Sequence, residues 1–170
     1  MVIIATNSRK DNIRRPCFAM ERGFFYICTN SVMKGFSIIT PENTIIRFTY
    51  YSAEAPLSAA AFDAVLPFSI GFYHARTSGE EFWVANAFTF DVPQENASVF
   101  TEPGEVVLGP MKPSRVKAMN GSIGIYYGDG KGLDAANIFA KVVPEDADKL
   151  KVLGEKIWKE GARELRFEQL

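Results

Sequence analysis

The sequence has a single histidine, His74, among its 170 residues. That scarcity rules out a His-x3-His zinc motif, a histidine–cysteine finger and any iron site built on several histidines. A catalytic triad with a histidine base would have to use His74. Cysteine is nearly as scarce: Cys17 and Cys28 both fall in the first 32 residues, so the rest of the chain cannot depend on a disulfide. Two lone cysteines of this kind are read as buried or free thiols. Net charge is also lacking, at −1 from 19 Lys+Arg and 20 Asp+Glu, which gives no general electrostatic reason to bind nucleic acid or an anionic membrane. Long apolar runs are missing too, since residues 23–33 are uncharged but well short of the roughly 18–20 residues of a membrane span. The opening MVIIATNSRKDNIRRP lacks the charged-then-apolar order of a secretory signal, and the expected location is the cytoplasm.

What is present suits one folded domain. A hydrophobic share of 47% against 23% charged residues can build a core, and a chain of this length should bury about 70% of its unfolded surface. Residues 1–32 differ from the remainder. They carry Arg9, Lys10, Arg14, Arg15 and Arg22 with little clean periodicity, and a regular pattern begins only at Met33. They are read as an N-terminal extension, dispensable or in contact with a neighbouring subunit, ahead of a domain over 33–170.

From Met33 the pattern is mostly β. Residues 36–40 and 44–51 are β-branched or aromatic runs around the turn Pro41-Glu-Asn43. Residues 57–66 carry Ala60, Ala61, Ala64 and Val65 at helical spacing, with Pro56 in the first turn and Pro67 as the stop. Strands are expected at 70–76, 81–90, 105–108, 121–128, 138–143 and 164–167. Polar or glycine-rich loops are expected at 94–101, 111–120 and 129–137. Pro144-Glu-Asp opens a second helix with acidic residues where its dipole prefers them. Leu150, Leu153 and Ile157 form its apolar stripe, and Gly161 follows its end. About eight strands and two helices without βαβ alternation predict a closed eight-stranded β-barrel with a helix at each end.

The stretch from Phe72 to Trp83 carries the most chemistry. If Ser78-Gly79 is a two-residue hairpin loop, Arg76 faces Glu81 and His74 faces Trp83, and all four share one face. Arg76 would anchor a carboxylate or carbonyl, Glu81 would orient Arg76, His74 would be the near-neutral acid or base, and Trp83 would form an apolar wall. The plain alternative is a cross-strand ion pair beside an aromatic contact, worth about 1 kcal/mol or less. Other signals are weaker. Gly128-Asp-Gly-Lys-Gly132 departs from the Walker spacing and reads as a flexible turn. Ser78 and Ser122 lack a Gly-x-Ser-x-Gly context. Glu80, Glu81, Asp129 and Asp134 do not form a spaced cation loop, and Lys112, Arg115 and Lys117 read as a solvated basic patch. No metal or cofactor is expected.

On these residues the chain resembles a cyclophilin-like family of small, uncharacterised prokaryotic proteins. The resemblance rests on Ala55-Pro-Leu-Ser-Ala-Ala-Ala-Phe62, on His-Ala-Arg-x-Ser-Gly-Glu-Glu at 74–81, and on Pro103-Gly104-Glu105. Tyr126-Tyr127-Gly128-Asp129 and Asn137-Ile-Phe-Ala-Lys-Val142 complete it. It covers about 33–170 and implies a cyclophilin-type eight-stranded barrel with two helices. Arg76 is similar in placement to the catalytic arginine of true cyclophilins. Their Pro-Gly-Phe and Gln-Gly-Gly segments are replaced here by Thr77-Ser-Gly-Glu-Glu81, and Gly132 stands where they have Trp. The resemblance adds Ser78, Tyr126, Tyr127 and Asp129 to the ligand contacts. The favoured function is a small-molecule site for a carboxylate or amide, with turnover or simple binding left open. The alternatives are a prolyl isomerase or proline-peptide module, and a non-catalytic subunit. A small-molecule ligand and a homo-oligomer are the expected partners.

Overall fold

A computed structural model describes residues 18–21, 24–27, 34–109 and 121–170. Cys17, Cys28 and the basic loop at 111–120 lie outside the described residues. The chain divides into two compact units, Met1–Val32 and Met33–Leu170. In the first, β1 (Phe18–Glu21) pairs antiparallel with β2 (Phe24–Ile27), a hairpin where the sequence suggested no regular element.

The second unit is mainly β. Its strands are β3 (Gly35–Ile39), β4 (Ile45–Tyr50), β5 (Phe68–His74), β6 (Gly79–Val84), β7 (Ala97–Thr101), β8 (Glu105–Leu108), β9 (Ile123–Val142) and β10 (Arg163–Gln169). The helices are α1 (Pro56–Asp63) and α2 (Ala147–Glu160). Six strands close a ring in the order β4-β3-β10-β5-β6-β9, with β9 returning to β4, and β7 and β8 also pair with β9. Closure leaves the six ring strands no open edge, which is how an antiparallel sheet avoids exposing unpaired backbone. The expected count of eight is recovered through β9: Val106 of β8 faces both Ile125 and Ala140, so the two arms of this long strand flank β8.

Alternation decides which side chains enter the barrel. Along β4, Ile46, Phe48 and Tyr50 are buried while Ile45, Arg47 and Thr49 are exposed. The interior is aromatic, with Phe36, Phe48, Phe62, Phe72, Phe82, Phe139 and Phe167 fully buried. Phe36 stacks on Phe48 at 4.8 Å between centroids, and Phe62 of α1 meets Phe36 at 4.7 Å. Alanines keep the rest of α1 slim, and Ala59 is buried beside Phe62. Pro56 opens this helix without a local side-chain cap, and Glu95 supplies the missing acceptor for the Ser58 N–H. The helix ends at Asp63, three residues before Leu66. The second helix buries Leu150, Leu153, Gly154 and Ile157 as its spacing predicts. None of the helices among the described residues is long and apolar enough to cross a membrane.

Three expectations along the chain fail, the first being the strand at 81–90, which stops at Val84. Residues 97–101 form β7 rather than a polar loop, because Val99, Phe100 and Thr101 favour strand and the segment pairs with β9 on either side of an irregularity at Val99, despite the polar residues before it. Residues 129–137 continue β9 rather than forming a glycine loop.

Candidate functional site

The hairpin between β5 and β6 carries the site, in a register one residue from the expected one. Tyr73 faces Trp83 and His74 faces Phe82, and the Ala75 N–H donates to the Glu81 carbonyl at 2.9 Å. The connection is longer than two residues: residues 76–78 bend, and β6 has an irregular register between Gly79 and Glu81. Gly79 takes φ +99°, and a Cβ there would collide with the Asp129 carbonyl, a place where only glycine fits. Because side chains alternate, this slip breaks the expected cross-strand pairs, although His74, Arg76, Glu81 and Trp83 still line one cleft.

The expected Arg76–Glu81 pair is not formed. Arg76 is exposed and makes no ion pair among the described residues. Glu81 is 5% exposed. Its carboxyl group accepts hydrogen bonds from the hydroxyls of Ser78 and Tyr126. Burial pushes the Glu81 carboxyl up to about 7, and the two hydroxyls counter only part of that rise. The Tyr126 hydroxyl is itself held above its ordinary range by burial and by the neighbouring Glu81.

His74 also departs from its expected place opposite Trp83. Its Nδ1 meets the Ala75 carbonyl at 2.7 Å, and its Nε2 meets the Tyr127 hydroxyl at 2.8 Å. A carbonyl only accepts, so Nδ1 carries the proton, and in the neutral ring Nε2 accepts from Tyr127. Both ring nitrogens are therefore engaged. Tyr127 packs beneath α2, where Gly154 leaves space for its ring, and Trp158 of that helix lies 6.2 Å from the imidazole. Tyr126 and Tyr127, adjacent in sequence, thus serve opposite sides of the sheet. Asp129 is exposed, and its N–H donates to the Glu80 carboxylate at 3.1 Å.

A cleft of about 400 Å³ opens over the hairpin. Ser78, Glu81 and Tyr126 supply its polar groups. Tyr73 and Trp83 supply an aromatic wall, their rings edge to face at 5.4 Å, and Leu133 adds an apolar contact. Arg76 and His74 also line it. A second hollow beside α2, about 330 Å³ and lined by Glu42, Lys149 and Lys156 among others, contains no comparable buried reactive group. Ser122 is buried, so the cleft offers Ser78 alone of the two serines. Among the described residues, no three of His, Cys, Asp and Glu gather in a way that would hold a metal ion. Sequence reasoning missed Tyr73, which the one-residue slip sets opposite Trp83, and Gly132 and Leu133, whose approach depends on β9 folding back over the hairpin.

Comparison with known proteins bears on the fold. A profile of the family described as "Protein of unknown function (DUF3830)" matches residues 39–169. None of the curated proteins matches the chain in sequence. Among solved structures, McbB in complex with tryptophan is similar with a TM-score of 0.65 and 20% identity, over 79% of this chain and 44% of that one. The chain therefore corresponds to less than half the length of McbB. The hypothetical protein AF2241 from Archaeoglobus fulgidus is similar with a TM-score of 0.56 and 14% identity, over 84% of this chain and 99% of that one. A cyclophilin-type peptidyl-prolyl cis-trans isomerase from Cryptosporidium parvum, in the presence of the dipeptide Ala-Pro, is similar with a TM-score of 0.42. It is 16% identical over 69% of this chain and 84% of that one. At these identities the likeness concerns the fold.

Proposed function

The chain belongs to this family of unknown function, and we propose from the geometry of its cleft that it binds a small carboxylate or amide and exchanges a proton with it. The observation that carries this reading is the Glu81 carboxyl group, buried beneath a small-molecule-sized cleft with two hydroxyls and no ion-pair partner among the described residues. A carboxyl group held near neutrality can both give and take a proton at physiological pH, the property a general acid or base needs. Glu81 thus takes the role first expected of His74.

The other residues follow from this assignment. Arg76, exposed and without an ion-pair partner among the described residues, anchors the anionic or carbonyl end of the ligand. Tyr73 and Trp83 cover its apolar part. Ser78 and Tyr126 hold the Glu81 carboxyl group and sit where a polar ligand atom would replace one of their bonds. The complex of McbB with tryptophan favours ligands that combine a ring with a carboxylate, since such a molecule has a counterpart for both the aromatic wall and Arg76.

A thermal-shift screen of aromatic carboxylates and small amides, run on the wild type, Arg76→Ala and Glu81→Gln, tests the reading. A ligand should stabilise the wild type, with its affinity reduced about tenfold in Arg76→Ala, equivalent to about 1.4 kcal/mol. Equal stabilisation of all three proteins would sink it. Isomerisation of an Ala-Pro test peptide that disappears in Arg76→Ala would instead assign the cleft to proline-peptide chemistry.

A further inference from the structure

Positions 124, 126, 128, 130 and 132 alternate along β9 and so point to one side of the strand, and all but Tyr126 are glycine. Glycine weakens a strand interior, because it loses more conformational freedom on folding and offers no side chain to pack. None of these four glycines has the positive φ that only glycine adopts readily. Backbone conformation therefore does not account for them, and for three of the four space does.

A Cβ on Gly124 would lie under 3.0 Å from Glu81 Oε1 and 2.9 Å from Val107 Cγ2. On Gly130 it would enter the Tyr126 ring and come within 2.7 Å of the Ser78 carbonyl oxygen. On Gly128 it would strike the Glu80 carboxylate, which turns back to accept from the Asp129 N–H. Gly132 is the exception: its nearest neighbours would stand at 3.1 Å and beyond, and it lines the cleft. The volumes left by Gly124 and Gly130 are thus filled by the acid and by one of the two hydroxyl-bearing side chains that hold it.

We propose that Gly124 and Gly130 are positioning residues of the cleft: Gly124 leaves the seat of the Glu81 carboxyl group, and Gly130 leaves the seat of the Tyr126 ring. The functional meaning of these seats rests on the acid–base reading of Glu81, but their existence does not. The side chains come from different places. Glu81 reaches across from β6, whereas Tyr126 lies along its own strand, over a residue four positions on. A bare strand face thus lets a carboxyl group and a phenol pack against backbone, in space that ordinary strand residues would fill.

The test uses the full chain carrying Gly124→Ala, with Gly71→Ala as the control, since a Cβ at Gly71 would meet nothing within 4 Å. The Glu81 carboxyl titration is followed by carbon NMR and the melting temperature by calorimetry. Gly124→Ala should displace the carboxyl toward water and move its titration down toward the ordinary carboxylate range, while Gly71→Ala leaves it in place. In a Glu81→Ala background the same Gly124→Ala change should lose less than half as much melting temperature, because the group it collides with is gone. Gly130→Ala should likewise be relieved by Tyr126→Ala. If Gly124→Ala prevents folding in the wild type but not in the Glu81→Ala background, the seat is supported. An unmoved Glu81 titration, or equal losses in both backgrounds, would overturn it. Absence of any stabilising ligand for the wild type would defeat the proposed function while leaving these readouts to decide the seats.

Discussion

Two carboxyl groups are buried to nearly the same degree and behave in opposite ways. Asp146, fully buried, ends the short 3-10 turn before α2. It accepts from Arg47 Nε at 2.7 Å, from the Arg47 N–H at 3.0 Å and from Lys149 Nζ at 2.6 Å. Those partners, led by the Arg47 guanidinium, hold it well below the usual carboxylate range. Glu81, in the cleft, has two neutral hydroxyls instead and is pushed up to about 7. Burial alone penalises both charges, so the charge of the neighbours decides the sign. Asp146 stays ionised and ties the start of α2 to β4. Glu81 is left able to change its protonation state, which is why chemistry is assigned to one and architecture to the other.

Breaking the ionised partner should have the largest effect. Asp146→Ala strands two cations that are each 47% exposed, so water recovers part of the loss and the expected cost is about 2–3 kcal/mol by urea denaturation at neutral pH. Its folded pKa is depressed, so this contribution is complete above the ordinary carboxylate range near pH 4 and is lost as pH falls through the folded value. The gap between wild type and variant should therefore close on acidification. A gap of constant size would mean that Asp146 acts through packing rather than charge.

Glu81→Gln should act in the other direction. The folded protein holds the Glu81 proton from the ordinary 4.5 up to about 7, so wild-type stability falls as pH rises through that window. Above it the full cost of the buried charge is present, on the order of 2 kcal/mol. Glutamine never ionises, so the variant should exceed the wild type in stability at pH 8 and match it near pH 4.5. Denaturation midpoints that differ equally at both pH values would erase the contrast between the two carboxyl groups.

The smallest effect should come from Lys149→Ala, which leaves Asp146 its Arg47 bonds. A cost below about 1 kcal/mol is expected, read as a small fall in melting temperature. A loss as large as that of Asp146→Ala would mean that Lys149, rather than Arg47, sets the charge balance there.

Much of the fold was legible along the chain. The alternation of Ile46, Phe48 and Tyr50 marked β4, and Leu150, Leu153 and Ile157 marked α2, because one periodicity carries both local geometry and burial. The bare face of β9 was misread as a glycine-rich loop at 129–137, although glycines at 124, 128, 130 and 132 keep a period of two. A count of glycines suggests a loop, whereas their spacing suggests a strand. Strand β7 was obscured by the polar residues that precede it, and its pairing with β9 decided the outcome. The site was located but not assembled. The residues of the 74–81 block do gather around one cleft, yet the Arg76–Glu81 and His74–Trp83 pairs do not exist.

By itself the sequence determined a mainly β chain, a barrel with two helices, and the hairpin on which reactive side chains collect. These follow from patterns repeated every two or three to four residues, which any local segment displays. Only the tertiary structure decided that Glu81 meets Ser78 and Tyr126, that His74 turns to Tyr127, and that Arg76 is left without an ion-pair partner among the described residues. Those outcomes depend on a register set by a longer turn and by β9, a strand more than forty residues further along. A shift of one residue there moves every side chain to the other face.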